Sequence, residues 1–195
     1  MTEFQLYFGL GKDHILDYRG GYDHILFIIA LCAMYLLRDW KKVLILVTAF
    51  TVGHSITLAL ATLRIMSVNS PLIEFLIPLT ILITATLNIL RDEEKAATRN
   101  IHINYLFALF FGLIHGMGFS NFLRSILGEN KGIFIQLLAF NLGLEFGQII
   151  VVMLFLILSF ILVDILTVNR RDWKMVISAA IAGMAILLMN ENIYW

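Results

Sequence analysis

The sequence predicts an all-α integral membrane protein, a bundle of about six transmembrane helices. Of its 195 residues, 60% are hydrophobic, and the mean hydropathy is +0.88. Only 14% are charged, whereas soluble domains carry roughly 25%. The apolar segments are continuous rather than alternating, which favours helices over the strands of a transmembrane barrel. A soluble chain of this length could not bury so much apolar surface.

Six apolar segments are each long enough to cross a bilayer, which takes about 20 residues. They are approximately 21–38, 43–66, 71–90, 103–123, 133–163 and 173–190. No linker or long polar loop separates them, and no convincing internal repeat is visible, so we expect a single domain over residues 1–195. Residues 1–19 are too short and too polar to span, and we expect them to form an interfacial N-terminal segment.

The fifth segment is longer than a bilayer requires. As one helix it would be about 48 Å long, against a hydrocarbon core of about 30 Å. We therefore expect it to tilt, protrude or break, with Gly143 and Gly147 as its weakest point. The connections after the first, third and fifth segments carry more Lys and Arg than the opposite side. The positive-inside rule then places both termini outside.

Ionisable residues within the apolar segments suggest a functional site, because each is costly at membrane depth. His54 and His115 lie eleven and twelve residues into the second and fourth segments, and therefore at nearly the same depth. Glu145 reaches a similar level from the other side, and Asp23 and His24 begin the first segment. Equal depth predicts that these five side chains form one cluster, open toward the outside.

Imidazole and carboxylate groups together suit transition-metal ions. His14, just before the first segment, is a further candidate ligand, and the supporting polar neighbours are Asn141, Gln148, Ser55 and Thr51. Other interpretations stay open: Asp23 as a helix cap, Glu145 as a buried acid that holds helices together, and a lone histidine as a packing residue. In the third segment, Thr80, Thr84 and Asn88 form a neutral stripe typical of hydrogen bonding between helices.

The amino-acid composition limits the kinds of binding partner that we expect. The net charge is zero, so no broad basic surface predicts nucleic-acid binding. Cys32 is the only cysteine, so an internal disulfide is excluded. The expected partners are the lipid bilayer and a metal ion, and a homo-oligomer is left open.

Four blocks of the sequence, "HILDYRGGYDHILF", "FTVGHSITL", "FGLIHGMGF" and "NLGLEFGQ", together resemble the HupE/UreJ family of small bacterial membrane proteins. The resemblance implies a nickel or nickel/cobalt permease of the bacterial inner membrane. The first family motif is a histidine followed after five residues by Asp-His. It corresponds here to His14, Asp23 and His24, with eight residues between His14 and Asp23. The second, Phe-His-Gly, corresponds to Ile114, His115 and Gly116.

Three functions fit these residues. The first is a permease for a divalent ion such as nickel, zinc or cobalt. The alternative is an intramembrane zinc-dependent hydrolase that uses the same cluster, with Asp23 or Glu145 as general base and Ser55 or Ser120 orienting the substrate. The third is a metal sensor or structural metalloprotein.

Overall fold

The computed structural model describes residues 2–17, 21–66, 69–91, 101–127 and 133–193. Within these ranges the regular structure is entirely helical, which confirms the predicted fold class. The helices are α1 Glu3–Leu16, α2 Tyr22–Cys32, α3 Trp40–Thr62, α4 Ser70–Leu90, α5 Ile101–Gly118, α6 Ser120–Leu127, α7 Phe134–Ser159 and α8 Arg170–Glu191.

Four helical stretches among the described residues are long and apolar enough to cross a membrane. They are Leu37–Thr62, Ser70–Leu90, Phe134–Ile165 and Arg170–Glu191. Large apolar side chains such as Leu154 and Leu187 are about two-thirds exposed on the outside of the bundle, as expected of a surface that faces lipid. The protein is a multi-pass membrane protein. Most of the connection after α4 lies outside the described residues, so the orientation of the termini stays a prediction.

Of the three outcomes expected for the fifth segment, a break at Gly143 and Gly147 does not occur. The α7 helix continues past both glycines to Ser159, and the irregular part is a π-helix at Phe160–Ile165. The glycines instead allow α1 to approach closely, because a Cβ atom at Gly143 would overlap the carbonyl oxygen of Phe8. In the segment "NLGLEFGQ" they are packing residues rather than hinge residues.

The N-terminal segment, expected at the membrane interface, is the helix α1 and packs lengthwise against α7. Gln136 donates a 2.6 Å hydrogen bond to Glu3 at one end, and Ile15 lies against Gly147 at the other. The two helices therefore run in the same direction. The first predicted span is shorter than expected, since α2 has only 11 residues.

Two pairs of parallel helices, α1 with α7 and α5 with α3, pack in the same way. A Cβ atom at Gly11 would overlap the carbonyl oxygen of Phe140, and one at Gly112 would overlap that of Phe50. The reciprocal glycines are Gly143 against Phe8 and Gly53 against Leu109. In both pairs, each glycine meets the carbonyl oxygen that lies three residues before the glycine of the partner helix. The packing therefore repeats, although the sequence does not.

The two pairs run in opposite directions. The end of α5 lies beside the start of α7, because Phe119, just after α5, stacks on Phe140 with ring centroids 5.0 Å apart. The other end of α7 lies beside α8, where Trp173 donates to Ser159 at 3.1 Å. We call this the Arg91 end, because Lys174 there donates to the carbonyl oxygen of Arg91 at 2.8 Å. The opposite end, where α4 begins and α8 finishes, is the Glu74 end.

Candidate metal-binding site

Histidines from four helices meet at one place in the bundle. His14 of α1, His24 of α2 and His54 of α3 each offer one ring nitrogen, and these three atoms lie within 4.8 Å of one another. The ring of His115 from α5 lies 5.2 Å from that of His24. We call these four residues the histidine cluster. It joins both helix pairs, since α1 comes from one pair and α3 and α5 from the other.

Three of the four histidines are buried and His14 is partly buried, and most of the ring nitrogens have no hydrogen-bond partner within the described part of the chain. His24, His54 and His115 are 3%, 0% and 1% exposed. All four Nε2 atoms and the Nδ1 atom of His54 are buried without such a partner. An unsatisfied buried polar group costs about 1–3 kcal/mol, and native proteins pair nearly all such groups. Five such atoms in one place make the cluster a candidate ligand site.

Two of the rings are held with Nε2 available as a ligand atom. Nδ1 of His24 lies 2.9 Å from a carboxylate oxygen of Asp23, which also accepts from the backbone N–H of His24 at 2.8 Å. Nδ1 of His115 lies 2.9 Å from the carbonyl oxygen of Phe111. In each case the acceptor places the proton on Nδ1 and leaves the lone pair on Nε2. Metal-binding histidines in proteins are oriented in this way.

Glu145 and Gln148 lie between α7 and α3 rather than in the group of three histidines. Thr48 donates to Glu145 at 2.8 Å, and Thr51 donates to Gln148 at 2.7 Å. Depth alone does not determine which way a helix is turned, and this face of α7 is turned toward Thr48 and Thr51. The carboxylate of Glu145 and the side-chain oxygen of Gln148 are engaged in contacts between the two helix pairs, whereas Nε2 of Gln148 is buried without a partner in the described part of the chain.

The serines that a hydrolase would use donate hydrogen bonds to nearby carbonyl oxygens of the backbone. Ser55 donates to the carbonyl oxygen of Thr51 at 2.7 Å, and Ser120 donates to that of Met117 at 2.8 Å. Neither contact aims a hydroxyl group at the histidine cluster. The side-chain oxygen of Asn141 is buried without a partner in the described part of the chain.

Phenylalanines surround the cluster, and the sequence reasoning did not identify them. Phe27 and Phe50 lie 5.0 and 5.1 Å from the ring of His115, and Phe119 lies 3.9 Å from that of His14. A phenylalanine precedes the histidine by four residues in both "FTVGH" and "FGLIH". This spacing puts both rings on one helix face, and it could have revealed the aromatic surroundings.

An opening at the Glu74 end extends to Asp23, whose carboxylate contacts His24 of the cluster. It is lined by Asp23, Glu74, Tyr22, Pro78 and Asn192, among others. Two carboxylates at its wall favour the approach of a cation.

The comparisons with known proteins identify the family of the chain. A family model described as HupE / UreJ protein matches residues 1–193. No curated protein matches the chain, and no solved structure does. The family match covers nearly the whole chain and includes all four histidines of the cluster. The chain therefore belongs to the HupE/UreJ family of membrane proteins.

Proposed function

We propose that the protein is a permease for a divalent transition-metal ion, which it binds as substrate through the histidine cluster. The observation that carries the proposal is the set of buried Nε2 atoms of four helices without partners in the described part of the chain. Imidazole is a ligand for nickel, cobalt and zinc. The family is associated with nickel and cobalt transport, which makes these two ions the first to test.

The charge around the cluster supports binding of a cation. Neutral imidazoles leave an ion with its full charge, which is costly to bury. The carboxylate of Asp23, hydrogen-bonded to His24 at 2.9 Å, offsets part of that charge without needing to touch the ion. The carboxylates of Asp23 and Glu74 at the opening give the ion a route of entry from the Glu74 end.

Uptake into proteoliposomes with an entrapped metal indicator tests transport directly. The wild-type protein should take up Ni²⁺ or Co²⁺, and His54→Ala should reduce uptake by at least about tenfold, because loss of one ligand weakens the site. The matched control is His102→Ala, since His102 is exposed at the start of α5. A folded preparation that binds metal but takes up no Ni²⁺, Co²⁺ or Zn²⁺ would rule out transport.

Metal binding needs its own measurement, because a sensor would bind without transporting. Metal analysis and X-ray absorption of the purified protein should show an ion with nitrogen neighbours. The absorption spectrum of His54→Ala or His115→Ala should lose nitrogen scattering. If the protein binds no metal, and these variants are only less stable, the histidine cluster is a packing feature.

A further inference from the structure

The α4 helix carries a buried polar stripe that the histidine cluster does not use. Thr80, Thr84 and Asn88 are 3%, 8% and 4% exposed. The hydroxyl groups of Thr80 and Thr84 donate to carbonyl oxygens of their own helix at 2.7 and 2.8 Å. The amide of Asn88 donates to the carbonyl oxygen of Ala30 at 2.7 Å. Because the donors are engaged in this way, each side chain keeps an oxygen that can accept from water or bind a cation.

The stripe lies between two openings of the bundle. At its Arg91 end, Thr84 and Asn88 line a small cavity of about 40 Å³ whose wall also includes Tyr35 and Asn104. At its other end, two residues before Thr80, lies Pro78. Pro78 lines the opening that extends to Asp23. Proline has no N–H group, so it leaves the carbonyl oxygen one helical turn earlier without its usual donor. Oxygen atoms are thus available along most of α4.

Three phenylalanines separate the histidine cluster from the cavity. Phe27 lies 4.9 Å from Phe50 and 5.7 Å from Phe111, measured between ring centroids. Phe27 and Phe50 contact His115 on one side, and Phe111 lines the cavity on the other. All three are at most 6% exposed. A close-packed aromatic layer has no room for a hydrated ion.

We propose that the stripe of α4 and the cavity at its Arg91 end form the inner half of the path of the transported ion, closed in this conformation by Phe27, Phe50 and Phe111. This inference rests on the proposed transport function. The ligands along this half are neutral oxygens, which bind a divalent transition metal more weakly than imidazole does. The ion therefore leaves a tight site for a weak one, as release requires. Arg91 at the wall of the cavity further disfavours retention of a cation.

Accessibility of single cysteines tests the cavity without requiring transport. Cys32 is the only cysteine, so Cys32→Ala provides a background in which to introduce Thr84→Cys. The control is Ile83→Cys, because Ile83 is the next residue along α4 and is 41% exposed on the outside of the bundle. A charged, membrane-impermeant methanethiosulfonate should modify Thr84→Cys from the side that carries the Arg91 end, at least about tenfold faster than the control, because lipid excludes the charged reagent. Equal rates, or modification from the Glu74 side alone, would overturn the proposal.

Uptake of Ni²⁺ or Co²⁺ by Thr84→Val tests the path itself. The substitution keeps the shape of the side chain and removes its oxygen, so uptake should fall roughly threefold to tenfold, the effect of one lost polar contact. Metal binding at the histidine cluster should stay within about twofold of wild type. The matched control is Ser178→Ala, which removes another fully buried hydroxyl group from α8.

The outcomes distinguish this inference from the function on which it rests. If the wild-type protein binds the ion but transports none, the proposed function fails, and the inner path fails with it. If the wild-type protein transports the ion and Thr84→Val does so as fast as Ser178→Ala, only the inner path is wrong.

Discussion

Replacement of Asp23 by asparagine tests the proposal that its carboxylate strengthens binding of the ion through His24. Oδ1 of Asp23 lies 2.9 Å from Nδ1 of His24 and accepts from its backbone N–H at 2.8 Å. Asparagine keeps an acceptor oxygen but loses the charge, and charge-assisted hydrogen bonds are about twice as strong as neutral ones. Loss of such an orienting partner lowers metal affinity about 10–100-fold, or about 1.4–2.8 kcal/mol. We expect Asp23→Asn near the lower value and Asp23→Ala near the upper one.

The assay is equilibrium binding of Ni²⁺ or Co²⁺ to the purified protein near neutral pH. The control is Asp13→Asn, which removes an exposed acid paired with Lys12 at 3.1 Å and should leave the affinity unchanged. A second measurement places Asp23→Asn in the His24→Ala background, where its effect should be smaller, because only the offset of charge remains once the contact with His24 is lost. Unchanged binding by Asp23→Asn would refute the reasoning. An equal loss with and without His24 would show instead that Asp23 acts on the ion directly.

Two further predictions follow from the cluster and from the helix pairs. Metal binding should weaken as the pH falls, because protons compete for the imidazole lone pairs. Burial lowers the pKa of His14 to about 3, so the loss should come well below the ordinary imidazole pKa of about 6.5. An affinity that stays flat down to about pH 3 contradicts ligation by His14. Gly112→Ala should lower the free energy of unfolding in detergent by about 1–3 kcal/mol, because its Cβ atom would overlap the carbonyl oxygen of Phe50. Gly183→Ala, whose Cβ atom meets nothing within 4 Å, should be neutral or stabilising by up to about 1 kcal/mol, and equal unfolding midpoints would argue against the close contact.

The helical bundle could be predicted from the sequence because continuous apolar segments have one stable form in lipid. Loops and packing partners were harder to predict. The glycines of α7 suggested a weak point, since glycine lowers helix propensity. Their actual role depends on α1 as a neighbour, and no pattern within α7 identifies that neighbour.

The candidate site could be predicted only in part, for a similar reason. Counting residues from the helix ends placed His54 and His115 at one level, and the structure places both rings beside His24. The same count placed Glu145 at that level, but depth does not determine rotation, and Glu145 instead accepts from Thr48. His14 comes within reach because α1 packs along α7, a contact that the family motif spacing alone could not establish.

The glycine contacts of the helix pairs have a mechanical consequence. Within each pair, backbone lies directly against backbone, so no flexible side chain is available to absorb sliding between the two helices. Each pair should therefore move as one stiff rod, and any displacement between the rods falls where α3 meets α7 through side-chain contacts such as that of Thr48 with Glu145. His14 belongs to one rod, whereas His54 and His115 belong to the other. Any such displacement would pull the ligands of an ion apart, so the affinity for the ion and the position of the rods are thermodynamically linked.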